Sequence, residues 1–207
     1  MRRDDGLGVN GNPSLGALVA DIGRCRICAD ALPHGVRPVL RMSPTASICV
    51  AGQAPGIRVH ESGIPYDDRS GDRLRSWLAM EKDVFYDEAK IAIVPMGFCF
   101  PGYDAAGGDK PPRPECVAHW HDRLFAARAK FKLVLAIGSY AQAYHLKGRA
   151  KKSMTETVRS WREYGSVIPV PHPSWHNNAW LKKNPWFETE LLPSLRARVS
   201  EALASRA

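Results

Sequence analysis

Apolar runs of four or five residues recur along the chain, and each gives way to glycine, proline or polar residues. Ser47-Ile48-Cys49-Val50-Ala51 stops at Gly52, and Ile91-Ala92-Ile93-Val94, Leu133-Val134-Leu135-Ala136-Ile137 and Val167-Ile168-Pro169-Val170 repeat the pattern. Short runs without polar alternation read as strands buried on both faces. Helical candidates separate them, around Asp72–Met80, Glu115–Ala129 and Ser139–Leu146. Ahead of the first run, Leu15, Leu18, Val19 and Ile22 fall at helical spacing up to a Cys25-Arg26-Ile27-Cys28 knuckle, and an irregular stretch follows from Leu32 to Pro44. Behind the last run, Asn184-Pro185 announces a final helix through Leu191, Leu192, Leu195 and Val199. Strands alternating with helices predict an α/β fold, a three-layer α/β/α arrangement with a central four-stranded parallel sheet. Ligands of such sheets bind at the edge where the strand C-terminal ends meet, so the loops after the four runs are where chemistry is expected.

Composition narrows this only in part. The 207 residues suffice for one well-buried domain, read as 13–207 behind a polar, Gly-rich tail over 1–12. No stretch approaches the ~20 apolar residues of a membrane span. The start Met1-Arg2-Arg3-Asp4-Asp5 lacks the apolar run of a signal peptide, so a cytoplasmic protein without a membrane partner is expected. A formal charge of +8 favours a polyanionic partner, because Lys and Arg that neutralise phosphates release counterions. Five cysteines without an export signal argue for metal ligation or plain burial rather than disulfides.

Three loops then stand out. Gly52-Gln53-Ala54-Pro55-Gly56 is a tight turn whose backbone can approach a ligand closely. Gly63-Ile64-Pro65-Tyr66-Asp67-Asp68-Arg69-Ser70-Gly71-Asp72 sets an aromatic ring beside carboxylates at a helix start, where Ser70 or Asp72 would also serve as a cap. Pro171-His172-Pro173-Ser174 follows the last strand and leads into Trp175-His176-Asn177-Asn178-Ala179-Trp180-Leu181-Lys182-Lys183.

Taken together and in this order, these segments resemble the uracil-DNA glycosylase superfamily, in layout its bacterial and archaeal iron–sulfur branches, from about Cys25 to Val199. The resemblance implies a monomeric repair enzyme that flips uracil out of single- or double-stranded DNA, hydrolyses its N-glycosidic bond and leaves an abasic site. Bond breaking puts negative charge on the uracil O2 and positive charge on the sugar, and both need stabilising. His172 matches the histidine that donates to O2, and Tyr66 the aromatic that stacks on the base. Gln53 and Ala54 fall where commoner relatives have Gln-Asp; alanine cannot position the attacking water, so Asp68 takes that role by resemblance to an Asp-x-Ser-Gly branch, with Asp67 and Glu61 as fallbacks. An Asn that reads the uracil edge in the iron–sulfur branch is replaced by Pro95, which leaves base reading to Gly52, Ala54, backbone groups of Met96, Gly97 and Phe98, to Asn177 or Asn178, or to Gln53. The loop from Trp175 through His176 and Asn177 to Lys182 and Lys183 suits a wedge beside phosphate, with Ser70 and Ser174 as further DNA contacts.

Cys25, Cys28, Cys99 and Cys116 suit iron–sulfur or zinc equally by ligand type; the resemblance implies a [4Fe–4S] cluster, with zinc or no metal as alternatives. Cys49, inside a strand, reads as buried and inert. The pocket motifs hold no lysine suited to a Schiff base, so a monofunctional hydrolase is expected. Two other readings stand: a non-catalytic binder of damaged or single-stranded DNA with the same fold, kept open by Ala54 and Pro95, and a redox protein built around the four cysteines.

Overall fold

A computed structural model describes residues 13–128 and 130–204; the expected tail over 1–12 lies outside the described residues. Strands β1 (Ile48–Ala51), β2 (Ile91–Ile93), β3 (Leu133–Ile137) and β4 (Val167–Val170) form one sheet in the order β2-β1-β3-β4, every neighbouring pair parallel. The helical segments are α1 (Leu15–Gly23), α2 (Ile57–Ser62), α3 (Arg69–Leu78), α4 (residues 114–126), α5 (Gly138–Leu146), α6 (Met154–Arg159), α7 (Asn178–Lys183) and α8 (residues 187–204).

Alternate strand residues feed two separate cores. Ile48, Val50, Ile93, Leu135, Ile137 and Val170 pack with Leu74, Trp77 and Leu78 of α3 and with Leu191, Leu195 and Val199 of α8. Cys49, Ala51, Ala92, Val94 and Ala136 pack with Leu18 and Ile22 of α1, Trp120 and Leu124 of α4 and Ala141 of α5. The sheet is thus covered on both faces, as the continuous apolar runs require. Each fully buried aliphatic side chain contributes about 1.5–3 kcal/mol. Strand order reverses at β1, with β2 on one side and β3 and β4 on the other. A crevice opens beyond the strand C-terminal ends at such a switch point.

The strands fall on the expected runs, with Ser47 and Val94 just outside them. Two helical segments differ from expectation. The helix expected from Asp72 starts at Arg69, because the Asp68 Oδ1 accepts the Gly71 amide at 2.9 Å and caps it; Ser70 and Asp72 lie inside the helix. The helix expected to reach Ala129 ends at Ala126. The segment read as a wedge loop is a 3-10 turn, Trp175–Asn177, followed by α7. Trp180 and Leu181 dock that helix on the core, and the Trp180 Nε1 donates to the Thr155 Oγ1 at 2.7 Å. Among the described residues no helix is long and apolar enough to cross a membrane.

Candidate functional site

The crevice at the switch point is an open cleft of about 850 Å³. A small-ligand pocket holds roughly 300–1,000 Å³, so this cleft has the size of a site for one small ligand. Three segments close on it: Gly52–Gly56 after β1 and the nearby Pro65–Ser70 segment leading into α3, and, over a hundred residues further on, His172–Asn177 after β4. His172 and Tyr66 line the same cavity.

The His172 imidazole is fixed at one nitrogen. The Ser174 amide donates to Nδ1 at 3.2 Å, so Nδ1 is the acceptor and the proton of the neutral ring resides on Nε2. Burial pushes the pKa of His172 down, with His176 adding to the effect and Asp68 opposing it. The ring therefore offers a neutral N–H. The loop behind it is pinned twice: the Asn177 Nδ2 donates to the His172 carbonyl at 2.7 Å, and the Arg73 guanidinium of α3 donates to the Ser174 carbonyl at 3.1 Å.

Tyr66 takes a left-handed backbone conformation, φ 57°, which costs a non-glycine residue of order 1 kcal/mol unless its neighbours enforce it. They do. Buried Arg75 donates to the Tyr66 carbonyl at 3.3 Å, and the Tyr86 hydroxyl donates to the Pro65 carbonyl at 3.0 Å. Gly71 lies so close beneath Tyr66 that a Cβ there would collide with its carbonyl, and a Cβ at Gly52 would lie 2.5 Å from its hydroxyl oxygen. Burial, then the charge of Asp68, pushes the phenol pKa up, so the ring is neutral.

Other expected residues divide. Gln53, Ala54, Asp68, Ser70, Ser174, Trp175, His176 and Asn177 line the cleft with Gly52. Gln53 leans toward the start of α5: its Nε2 is 2.7 Å from where a Cβ at Gly138, φ +78°, would be. Met96 and Gly97 do not line the cleft, and their amides donate to the Gly52 and Gln53 carbonyls at 3.0 and 2.8 Å, so those N–H groups brace the β1 turn instead of facing a base. Phe98 lines a different cavity, described below. Asn178, Lys182 and Lys183 are exposed on α7, outside the cleft lining, whereas Trp175 projects at the rim, 70% exposed and packed against His176 at 3.8 Å between ring centroids. Of the fallback carboxylates, Asp67 pairs with Lys82 at 3.7 Å and Glu61 is exposed; neither lines the cleft. The cleft also holds residues the sequence reading passed over: Arg58, Arg69, Asp109 and Lys110. A glycine-rich stretch between Tyr103 and Pro112 gave no periodic signal that would point to the last two.

Cys25, Cys28, Cys99 and Cys116 line a second, much smaller cavity of about 20 Å³ with Phe98 and Arg113. Burial pushes the Cys99 thiol up to about 11 and the Cys116 thiol up to about 12, and the other cysteines raise both further. Thiolates in this setting need a cationic partner. Arg113, paired with Glu115, supplies part of it by bonding to Cys28. Among the described residues no group of three or more His, Cys, Asp or Glu side chains is placed to hold a metal ion. Cys49 lies inside β1, its thiol pushed up to about 12 by burial.

Comparison with known families gives one match. The family model of the uracil DNA glycosylase superfamily matches residues 41–196, which include the three cleft loops, Cys99 and Cys116, and exclude Cys25 and Cys28.

Proposed function

The chain belongs to the uracil-DNA glycosylase superfamily, and from that premise we propose that it is a monofunctional DNA-repair glycosylase, hydrolysing the N-glycosidic bond of uracil extruded from DNA and leaving an abasic site. The observation that carries the reading is the His172 tautomer. With Nδ1 held by the Ser174 amide, Nε2–H is a donor whose direction is set before the base arrives. Such a preorganised donor is worth roughly 3–4 kcal/mol where charge develops, here on the uracil O2. Tyr66 stacks on the extruded base, a contact worth about 1–3 kcal/mol. Asp68, fixed at the start of α3, faces the sugar cation and holds the attacking water. Trp175 and His176 at the rim fill the gap left in the DNA, and Lys182 and Lys183 on α7 meet phosphate.

The four cysteines are proposed to hold a [4Fe–4S] cluster. The support is ligand type and proximity: four thiols, Cys25, Cys28, Cys99 and Cys116, line one cavity. A cluster there ties the Cys25–Cys28 knuckle to the segment after β2 and to α4, a structural contribution.

The test is incubation of the protein with uracil-containing oligonucleotides, with hypoxanthine and xanthine in parallel, followed by alkali to reveal abasic sites. Base release that His172→Ala lowers by roughly 10²–10³-fold at unchanged DNA affinity supports the enzyme. No release from any of these bases, with DNA binding intact in both proteins, assigns the chain instead to the non-catalytic DNA binders, the reading that Ala54 favours. Strand scission without alkali, trapped by borohydride, would implicate Lys110 and overturn the monofunctional assignment.

A further inference from the structure

Asp109 lines the cleft, yet the proposed reaction leaves it unused. Its loop is closed by its own hydrogen bonds. Asp104 Oδ1 accepts the amides of Ala106 and Gly108, each at 2.9 Å, the Asp104 amide donates to the Gly108 carbonyl at 2.8 Å, and the Lys110 amide donates to the Gly102 carbonyl at 2.9 Å. Tyr103 and Asp109 complete an antiparallel bridge. A loop held in this way fixes the side chain it presents. The Asp109 Oδ2 lies 3.5 Å from where a Cβ at Gly56 would be, over the turn whose Ala54 lacks a carboxylate.

Asp68 and Asp109 are not equivalent. Asp68 already uses Oδ1 to cap α3, and a proton on that carboxyl would weaken the cap. Among the described residues no hydrogen bond engages the Asp109 carboxyl, so it is free to take up and release a proton. Partial burial, and then the charges of Asp104 and Asp68, push its pKa above the ordinary Asp value, while His176 draws it back. A base whose pKa lies closer to the working pH is the better proton acceptor.

We infer that Asp109 is a second carboxylate of the reacting centre, the group that accepts the proton of the attacking water. The inference rests on the glycosylase reading above. As the N1–C1′ bond breaks, its electron pair leaves with the base, whose O2 accepts from His172 Nε2–H. The water oxygen bonds to C1′, its proton passes to the Asp109 Oδ2, and that carboxyl returns the proton to solvent when the product leaves. Asp68 keeps its cap on α3 and faces the sugar.

Single-turnover release of base from a uracil oligonucleotide, measured against pH, tests this with wild type, Asp109→Asn, Asp109→Glu and Asp68→Asn. The charged and titratable groups around Asp109 are Asp104 and Lys110 on its own loop, Asp68 and Arg69 at the start of α3, Arg58 on α2, and His172 and His176 after β4. The wild-type rate is expected to fall toward acid as Asp109 takes up a proton. Asp109→Asn is expected to lose about 10²–10⁴-fold and to lack that limb, to bind the oligonucleotide at least as tightly, and to melt with wild type; Asp109→Glu recovers part of the rate. An Asp109→Asn protein with wild-type rate and an unchanged acid limb, or with a loss confined to affinity, overturns the assignment while leaving the glycosylase reading intact. A wild-type protein that releases no base at any pH overturns both.

Discussion

Replacing Gly71 by alanine sets two effects of opposite sign against each other. Gly71 lies in the first turn of α3, where alanine is intrinsically better by up to about 1 kcal/mol. On that ground alone the variant should be more stable. A Cβ at this position, however, meets the Tyr66 carbonyl carbon at 2.7 Å and Cβ at 2.9 Å, with the carbonyl oxygen closer still, and these are not the ends of a flexible side chain. Either Tyr66 or the start of α3 must move by roughly an ångström, and overpacking of that kind costs about 1–3 kcal/mol. The clash should win, lowering the melting temperature by ~2–8 °C, since 1 kcal/mol shifts a domain of this size by about 2–4 °C. The same movement displaces the stacking ring and the Asp68 cap together, and misplacement by 1 Å costs on the order of 10²-fold in rate. Calorimetric melting and single-turnover base release measure the two effects. Gly16→Ala in α1 is the control, because nothing lies within 4 Å of a Cβ there: it should melt slightly higher and keep its rate. If Gly71→Ala also melts higher with full activity, the close approach of Tyr66 to α3 is not what holds the ring.

Two further predictions separate backbone from side chain, and ligand from bystander. Ser174→Pro removes the amide that fixes the His172 tautomer and sets its ring carbon where that N–H pointed, against the imidazole; a loss of at least about tenfold in rate is expected, whereas Ser174→Ala, which keeps that amide, should retain most of the wild-type rate in the same assay. Anaerobically purified protein should show the broad visible absorption of an iron–sulfur cluster, lost in Cys99→Ser or Cys116→Ser together with thermal stability and retained in Cys49→Ala; stoichiometric zinc without that absorption would reject the cluster.

The sheet was legible because each strand is a short, unbroken apolar run, and four of these separated by helical spacing admit few other folds. The place of His172 followed from topology, since loops after parallel strands meet at one edge; Tyr66, between α2 and α3, is held there by Arg75, Tyr86 and the close approach of Gly71. Finer placement depended on hydrogen bonds that composition does not encode. Asp68, not Ser70 or Asp72, caps α3, although all three residue types serve as caps. Met96 and Gly97 look available in sequence, but a parallel neighbour claims their amides. The Trp175–Lys183 stretch mixes amides and indoles that read as loop, and only the docking of Trp180 and Leu181 on the core makes α7 helical. Asp109 was hidden because its position arises from the bonds Asp104 makes across a glycine-rich loop.

A single element registers loops that lie over a hundred residues apart. Helix α3 begins on Asp68, admits the Tyr66 backbone at Gly71, donates from Arg73 to the Ser174 carbonyl and from Arg75 to the Tyr66 carbonyl. The His172 loop, the Tyr66 ring and the Asp68 carboxylate thus take their positions from one segment packed on the sheet through Leu74, Trp77 and Leu78. Its N-terminus holds the Asp68 carboxylate through the Gly71 amide. Asp109 has no such helix behind it, and partial burial, then the charges of Asp104 and Asp68, raise its pKa against the opposing charge of His176. The two carboxylates are therefore held in different electrostatic settings. That difference is the ground on which the fixed, capping carboxylate is proposed at the start of α3 and the exchangeable proton on the loop after β2.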